Sequence, residues 1–176
     1  LYPAFPYTAY THMSTDDVLA IRAYLNTLRP VNQAVAVNQL SFPFNQRYLM
    51  RAWKLLFMPK QPLRPDPNQS AEWNRGAYLV EGAGHCAECH TPRNLLYGLK
   101  SGQKFAGATT QGWKAYNLTS DPETGIGDWS VEEITRYLAT GHTPGRGAAA
   151  GSMGEAVSLS LSRLTPQDLR AMAVYL

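Results

Sequence analysis

The chain has 176 residues, with 16 Lys and Arg against 13 Asp and Glu, four His and two Cys. That length supports one domain, or one domain and part of another, and 44% apolar with 16% charged residues exclude a charged disordered tail. A net charge of +3 is too weak and too dispersed to argue for nucleic acid, and no apolar run approaches the ~18–20 residues of a membrane span. The chain has neither a starting Met nor a basic, apolar leader, so it is expected to be the interior of a longer or processed polypeptide.

Helix signals follow one another along the chain. Ser14-Thr15-Asp16-Asp17 is a capped start, with Val18, Ile21, Leu25 and Leu28 on one face and Pro30 beyond the end. A second helix is predicted from about Gln46 to Met58, with Leu49, Met50, Trp53, Leu56 and Phe57 at helical spacing. Gln61 to Pro67 holds three prolines and reads as a stiff extended linker. A third helix is predicted from about Ser70 to Glu81, ending at Gly82. The capping box Ser130-Val131-Glu132-Glu133 opens a fourth that stops at Gly141. The last starts at Thr165 with Pro166 in its first position and runs to the chain end. No strand pattern stands out, so the expected fold class is all-α with long loops.

The segment most informative about chemistry is His85-Cys86-Ala87-Glu88-Cys89-His90. Two cysteines separated by two residues and followed at once by His match the attachment motif of c-type haem. Each thiol adds to one vinyl group, and the short turn sets the two sulfurs at the correct separation. The adjacent imidazole then lies under the iron. Cys86 and Cys89 are the expected thioether links and His90 the expected proximal axial ligand. A thioredoxin-like reading needs a βαβ context that is not visible, and a structural zinc site needs four ligands, for which the chain has no further cysteine.

A sixth iron ligand is usually Met or His from a later loop. Met153 and His142 are the candidates. Met153 sits in a run with Gly at 141, 145, 147, 151 and 154, read here as a flexible segment able to wrap the far face of a porphyrin. His142 follows the helix-ending Gly141, where a His often caps carbonyls, so Met153 is preferred. His85, next to a tethered cysteine, is placed beside the haem rather than on the iron.

An internal repeat bears on the domain organisation. Residues 13–25 align with residues 164–176, keeping Asp17/Asp168, Ala20/Ala171, Tyr24/Tyr175 and Leu25/Leu176 identical. Both copies begin with a hydroxyl cap and an acid three positions on. On this reading residues 1–30 are the closing helix of a preceding haem domain, residues 31–69 an inter-domain segment with one helix and the Pro-rich linker, and residues 70–176 a cytochrome c domain with one covalent haem.

Taken together, these features make the sequence resemble the multi-haem cytochrome c subunits of bacterial membrane-bound dehydrogenases for alcohols, gluconate, fructose or aldehydes. The stretches that carry the resemblance span nearly the whole chain. They are Tyr2-Pro3-Ala4-Phe5-Pro6-Tyr7, Ser41-Phe42-Pro43-Phe44-Asn45, Arg75 to Glu81, His90-Thr91-Pro92-Arg93-Asn94, Asn117-Leu118-Thr119 with Asp121, Gly125-Ile126-Gly127 with Trp129-Ser130, and Met153. The resemblance implies a cytochrome c-like fold in which the domain's first and last helices cross, Gly76, Ala77 and Val80 meeting Ala171 and Tyr175. It implies that the Pro92 carbonyl accepts the His90 ring N–H, and that Arg93, Trp113 and Tyr116 contact the haem propionates or edge. Many relatives have Met where this chain has Phe5, a position fit for an axial ligand of the upstream haem, so that ligand stays open here, with Met13 one candidate.

The function implied is electron transfer by haem c with His/Met ligation, with no catalysis by the chain itself. Electrons would pass from a dehydrogenase catalytic subunit, through other haem domains of the same polypeptide, toward ubiquinone or the respiratory chain. The implied location is periplasmic, at the outer face of the cytoplasmic membrane, with membrane association through parts outside this chain. The alternative reading is a peroxidase-like haem domain with an open iron position.

Overall fold

The computed structural model describes residues 5–37, 39–43, 45–59, 61–110 and 112–176. Tyr2-Pro3-Ala4 and Phe44, which belong to two of the stretches carrying the resemblance, lie outside these residues. In chain order the helices are α1 (Tyr7–Tyr10), α2 (Thr15–Leu25), α3 (Leu49–Phe57), α4 (Ala71–Tyr78), α5 (Ala87–His90), α6 (Val131–Thr140), α7 (Gly151–Leu159) and α8 (Pro166–Tyr175). The helix-rich architecture agrees with an all-α class, with one addition. Ala108–Thr110 (β1) and Trp113–Ala115 (β2) pair antiparallel, Thr109 facing Lys114. Strands of three residues are too short for apolar alternation to show in a sequence.

The helix starts are where the caps place them. The hydroxyls of Ser14, Ser70, Ser130 and Thr165 each accept the backbone N–H three residues on, satisfying donors that the first turn leaves without partners. Glu133 returns the bond to the Ser130 N–H at 2.8 Å, completing the capping box, and Gly141 ends α6 in the left-handed conformation at φ 73°. The third predicted helix departs from its expected form. Regular α-helix stops at Tyr78 and the chain continues as a π-helical turn, Leu79–Ala83.

The core is built where α4, α6 and α8 meet. It gathers Leu79, Val80, Ala87, Phe105, Ile134, Leu138, Leu169, Met172 and Ala173, of which Val80 and Met172 are essentially sealed from solvent. Backbones of α4 and α8 come so close at Gly76 that a Cβ there would lie 1.9 Å from the Ala171 carbonyl oxygen and 2.8 Å from the Tyr175 Cβ. Only a residue without a side chain fits that crossing. At its rim the Arg75 guanidinium donates to both oxygens of Asp168, at 2.8 and 3.1 Å. The expected meeting of Gly76 with Ala171 and Tyr175 is what the structure has.

The segments before residue 70 pack on this domain at its edge. The α1–α2 turn brings Met13 Cγ to 3.4 Å from the Cβ position of Gly82, and Thr8 donates to Glu88 at 2.8 Å. The α3 helix docks through Trp53, whose indole N–H donates to the Leu96 carbonyl at 2.7 Å, and through Phe57, which lies against Gly98. The Pro-rich stretch is anchored as it enters α4: the Asn74 side chain accepts the Asp66 N–H at 2.7 Å and donates back to the Asp66 carbonyl at 2.9 Å.

Candidate haem-binding site

Cys86, Cys89 and His90 sit at the end of a descent from α4 that the sequence shapes step by step. The π-helical turn closes with the Gly84 N–H on the Leu79 carbonyl at 2.7 Å, and the Cys86 N–H reaches the Val80 carbonyl at 3.1 Å. A Cβ at Gly84 would lie 2.9 Å from the Leu79 carbonyl oxygen and 3.5 Å from the Cys86 sulfur. His85 then takes a left-handed conformation at φ 40°, rare for a residue with a side chain, and Cys86 caps the single turn α5, which carries Cys89 and His90. π-Helical bulges are rare and recur at functional sites.

The half-buried Cys86 packs against the core cluster, and so does Met153. Burial, with the Glu81 charge as a second cause, pushes the Cys86 thiol up to about 12. Burial also raises Cys89, Glu88 acting in the same sense and Arg93 against it. Both thiols are free and hold their protons at neutral pH.

The His90 ring is oriented from a distance. Its Nδ1 lies 2.7 Å from the backbone carbonyl of Tyr116, immediately after the hairpin. A carbonyl only accepts, so Nδ1 carries the hydrogen and Nε2 presents its lone pair. Burial holds the imidazole below its ordinary range, with the Tyr116 carbonyl pulling the other way, so the ring is neutral at physiological pH. This is the tautomer and charge state that a haem iron requires. Contrary to expectation, the Pro92 carbonyl accepts the Lys100 N–H at 2.9 Å beside the Arg93–Leu99 bridge, while the His90 ring is bonded to Tyr116.

Trp113 and Tyr116 border the same region from the hairpin side. Trp113 is half-exposed and its ring lies against Gly151, where a Cβ would come within 2.3 Å of the indole. Gly151 is the first residue of α7, which carries Met153. The segment around Met153, read from its glycines as a flexible loop, is thus helical. Val157 buries one turn further on, and this apolar anchor outweighs the glycines. Arg93 turns toward the protein, pairing with the Glu88 carboxylate and donating to the Tyr97 carbonyl at 2.9 Å. His142 forms an isolated bridge with Ala148. Glu81, buried and not singled out in the sequence, is held by Lys104 and the Tyr175 hydroxyl. Its spacing of one helical turn past Ala77 was the available signal.

The donor set fits a haem better than a bare ion. Two sulfurs and one imidazole are too few for a closed zinc site, and among the described residues no three His, Cys, Asp or Glu are grouped to hold a metal ion. A free lone pair on His90, two protonated thiols beside it and a methionine on the same apolar wall are the parts of a cytochrome c centre.

No family model matches the chain. Among known proteins it is 46% identical, over its full length, to one of the subunits of nicotinate dehydrogenase from Pseudomonas putida, of which it spans 15%. It is 41% identical, again over its full length, to the fructose dehydrogenase cytochrome subunit of Gluconobacter japonicus, spanning 36% of it. A diheme cytochrome c-type protein of Cereibacter sphaeroides is 40% identical over 99% of the chain, which spans 58% of that protein. The chain is therefore homologous throughout to cytochrome c subunits of dehydrogenase complexes and to a diheme cytochrome c-type protein. It spans less than two thirds of the length of each.

Proposed function

We propose that this chain binds one haem c through Cys86 and Cys89, with His90 and Met153 as axial ligands, and serves as an electron-transfer unit of a dehydrogenase complex. The observation that carries this reading is the 2.7 Å contact between His90 Nδ1 and the Tyr116 carbonyl. It frees Nε2 one residue after a cysteine. When bound, the group supplies one-electron chemistry at an iron whose potential is set by its axial ligands and by the apolarity around it. The protein's own contribution is to fix the imidazole, present a thioether from α7, and exclude water with the Val80, Phe105 and Ile134 wall. Pro92, Arg93, Trp113 and Tyr116 make up the surroundings, Arg93 through its hold on Glu88.

In this reading electrons arrive from the catalytic subunit of a dehydrogenase and leave toward a quinone or another respiratory acceptor, on the periplasmic side of the cytoplasmic membrane. Residues 1–30 would close an upstream haem domain, for which Met13 is this chain's candidate axial donor, and residues 70–176 form the haem domain itself. A catalytic haem with an open iron position is not favoured, because the relatives are cytochrome subunits.

Changing Met153 to Ala should abolish the weak sulfur-to-iron absorption band at the red end of the oxidised spectrum. It should also lower the potential by a sizeable part of the roughly 0.8 V range that axial ligands command. Changing Cys86 and Cys89 together to Ala should leave haem extractable by acidified organic solvent. An unchanged band in Met153→Ala refutes the ligand assignment, and a colourless wild-type protein after expression with the haem-attachment machinery refutes the whole reading.

A further inference from the structure

Residues 18–65 contain seven of the sixteen Lys and Arg and none of the thirteen Asp and Glu. This one-sided charge coincides with a one-sided surface. Of the large apolar side chains left exposed among the described residues, Tyr48, Leu49, Leu55 and Leu56 lie on α3 and at the residue leading into it. Helix α3 concentrates both properties in three sectors. Met50, Trp53 and Phe57 form the sector that faces the protein, tied down through Leu96 and Gly98. Arg51 and Lys54, with Arg47 in the turn leading in, follow at spacings of four and three and make a basic flank. Lys54 lies 4.8 Å over the Tyr7 ring, and none of the three cations has a carboxylate partner among the described residues. The remaining sector holds Leu49, Ala52, Leu55 and Leu56, open to solvent, with Leu55 at 76% and Leu56 at 67% exposure.

We propose that α3 lies in the plane of an anionic phospholipid surface, with Leu49, Leu55 and Leu56 in the acyl boundary and Arg47, Arg51 and Lys54 among the headgroup phosphates. A helix with a leucine face flanked by cations, too short to span, has the chemistry of an interfacial anchor. Seven cations with no anion in 48 residues give an anionic lipid surface something to attract. Fixing α3 to the haem domain through Trp53 would set the height of the haem site above the lipid. The inference rests on the membrane-side location proposed above, and it places a membrane contact inside this chain.

The test is flotation of the haem-loaded protein with vesicles of mixed phosphatidylglycerol and phosphatidylcholine, compared with phosphatidylcholine alone. Binding is expected to the anionic vesicles only, falling as salt rises through the range where exposed charges are screened. Arg51→Gln with Lys54→Gln should weaken it roughly fivefold per residue. Leu55→Asp with Leu56→Asp should weaken it further, with the haem spectrum unchanged. No partition onto anionic vesicles overturns the proposal. So does partition that these variants leave unaltered, or variants that keep vesicle binding but no longer co-purify with a dehydrogenase catalytic subunit. Because the readout is lipid partition, its failure leaves the haem reading intact. Haem loss in the cysteine variants, in turn, leaves partition as it was.

Discussion

Helices α2 and α8 share a hydroxyl cap whose oxygen receives, at 3.1 Å, the N–H of an acid three residues on. Thereafter they live in different surroundings. In α8 the repeat positions Leu169, Ala171 and Met172 are 5%, 2% and 1% exposed. Their counterparts Val18 and Ile21 in α2 are 47% and 49% exposed, and Ala20 is exposed as well. Asp168 pairs with Arg75 across the helix crossing, whereas Asp17 accepts from the Tyr78 hydroxyl. Pattern alone states which face of a helix can be buried. The partner decides whether it is: α8 packs along α4, while α2 meets α4 through Asp17 and Tyr78 and buries no residue.

The sharpest way to break this comparison is at the crossing itself. Gly76→Val would drive a branched side chain into the Ala171 carbonyl, and a loss of at least about 3 kcal/mol, or failure to fold, is expected in chemical denaturation. Ala20→Val, at the α2 counterpart of the Ala171 that Gly76 meets, should stay within about 0.5 kcal/mol in this chain. A large cost for Ala20→Val in a longer polypeptide would show that an upstream helix covers that face. Next in size, Met172→Ala should cost about 2–5 kcal/mol, because the side chain is sealed, and Ile21→Ala under about 1 kcal/mol.

The smallest effect concerns the rim. The Arg75 guanidinium, and then the Thr165 hydroxyl bond, hold the Asp168 carboxyl below its usual range. Its contribution is therefore present above the unfolded carboxylate value near ~3.9 and is lost as pH falls through the lower folded value. The pair is partly exposed, so Asp168→Asn should cost no more than about 1 kcal/mol at neutral pH. The variant's stability should also fall less steeply on acidification, as measured by thermal melts between neutral and acid pH.

Much of this molecule was legible because the signals are local. Caps at Ser14, Ser70, Ser130 and Thr165, the stop at Gly141 and the CxxCH run each state their meaning within five residues. The Gly76 crossing followed from a family resemblance and is borne out by geometry. What escaped depends on contacts between distant residues. The Tyr116 carbonyl is 26 positions from the ring it orients, and a backbone oxygen leaves no trace in composition. The hairpin is too short to alternate. Around Met153 the glycines argued for a loop, yet burial of Val157 and the indole resting on Gly151 stabilise a helix there. The burial of Glu81 with Lys104 and Tyr175 likewise needed three segments in place at once.

The hairpin touches both sides of the proposed centre. At one end its Trp113 braces the start of α7, two residues ahead of the thioether, and just past the other its chain supplies the carbonyl that aims the imidazole. A single clip of two short strands thus reaches toward both proposed donors, so in that reading their ordering entropy is spent once, during folding. Were the haem bound as proposed, such a frame would hold the two donors in place as charge arrives or departs, the condition under which an electron hops with little reorganisation.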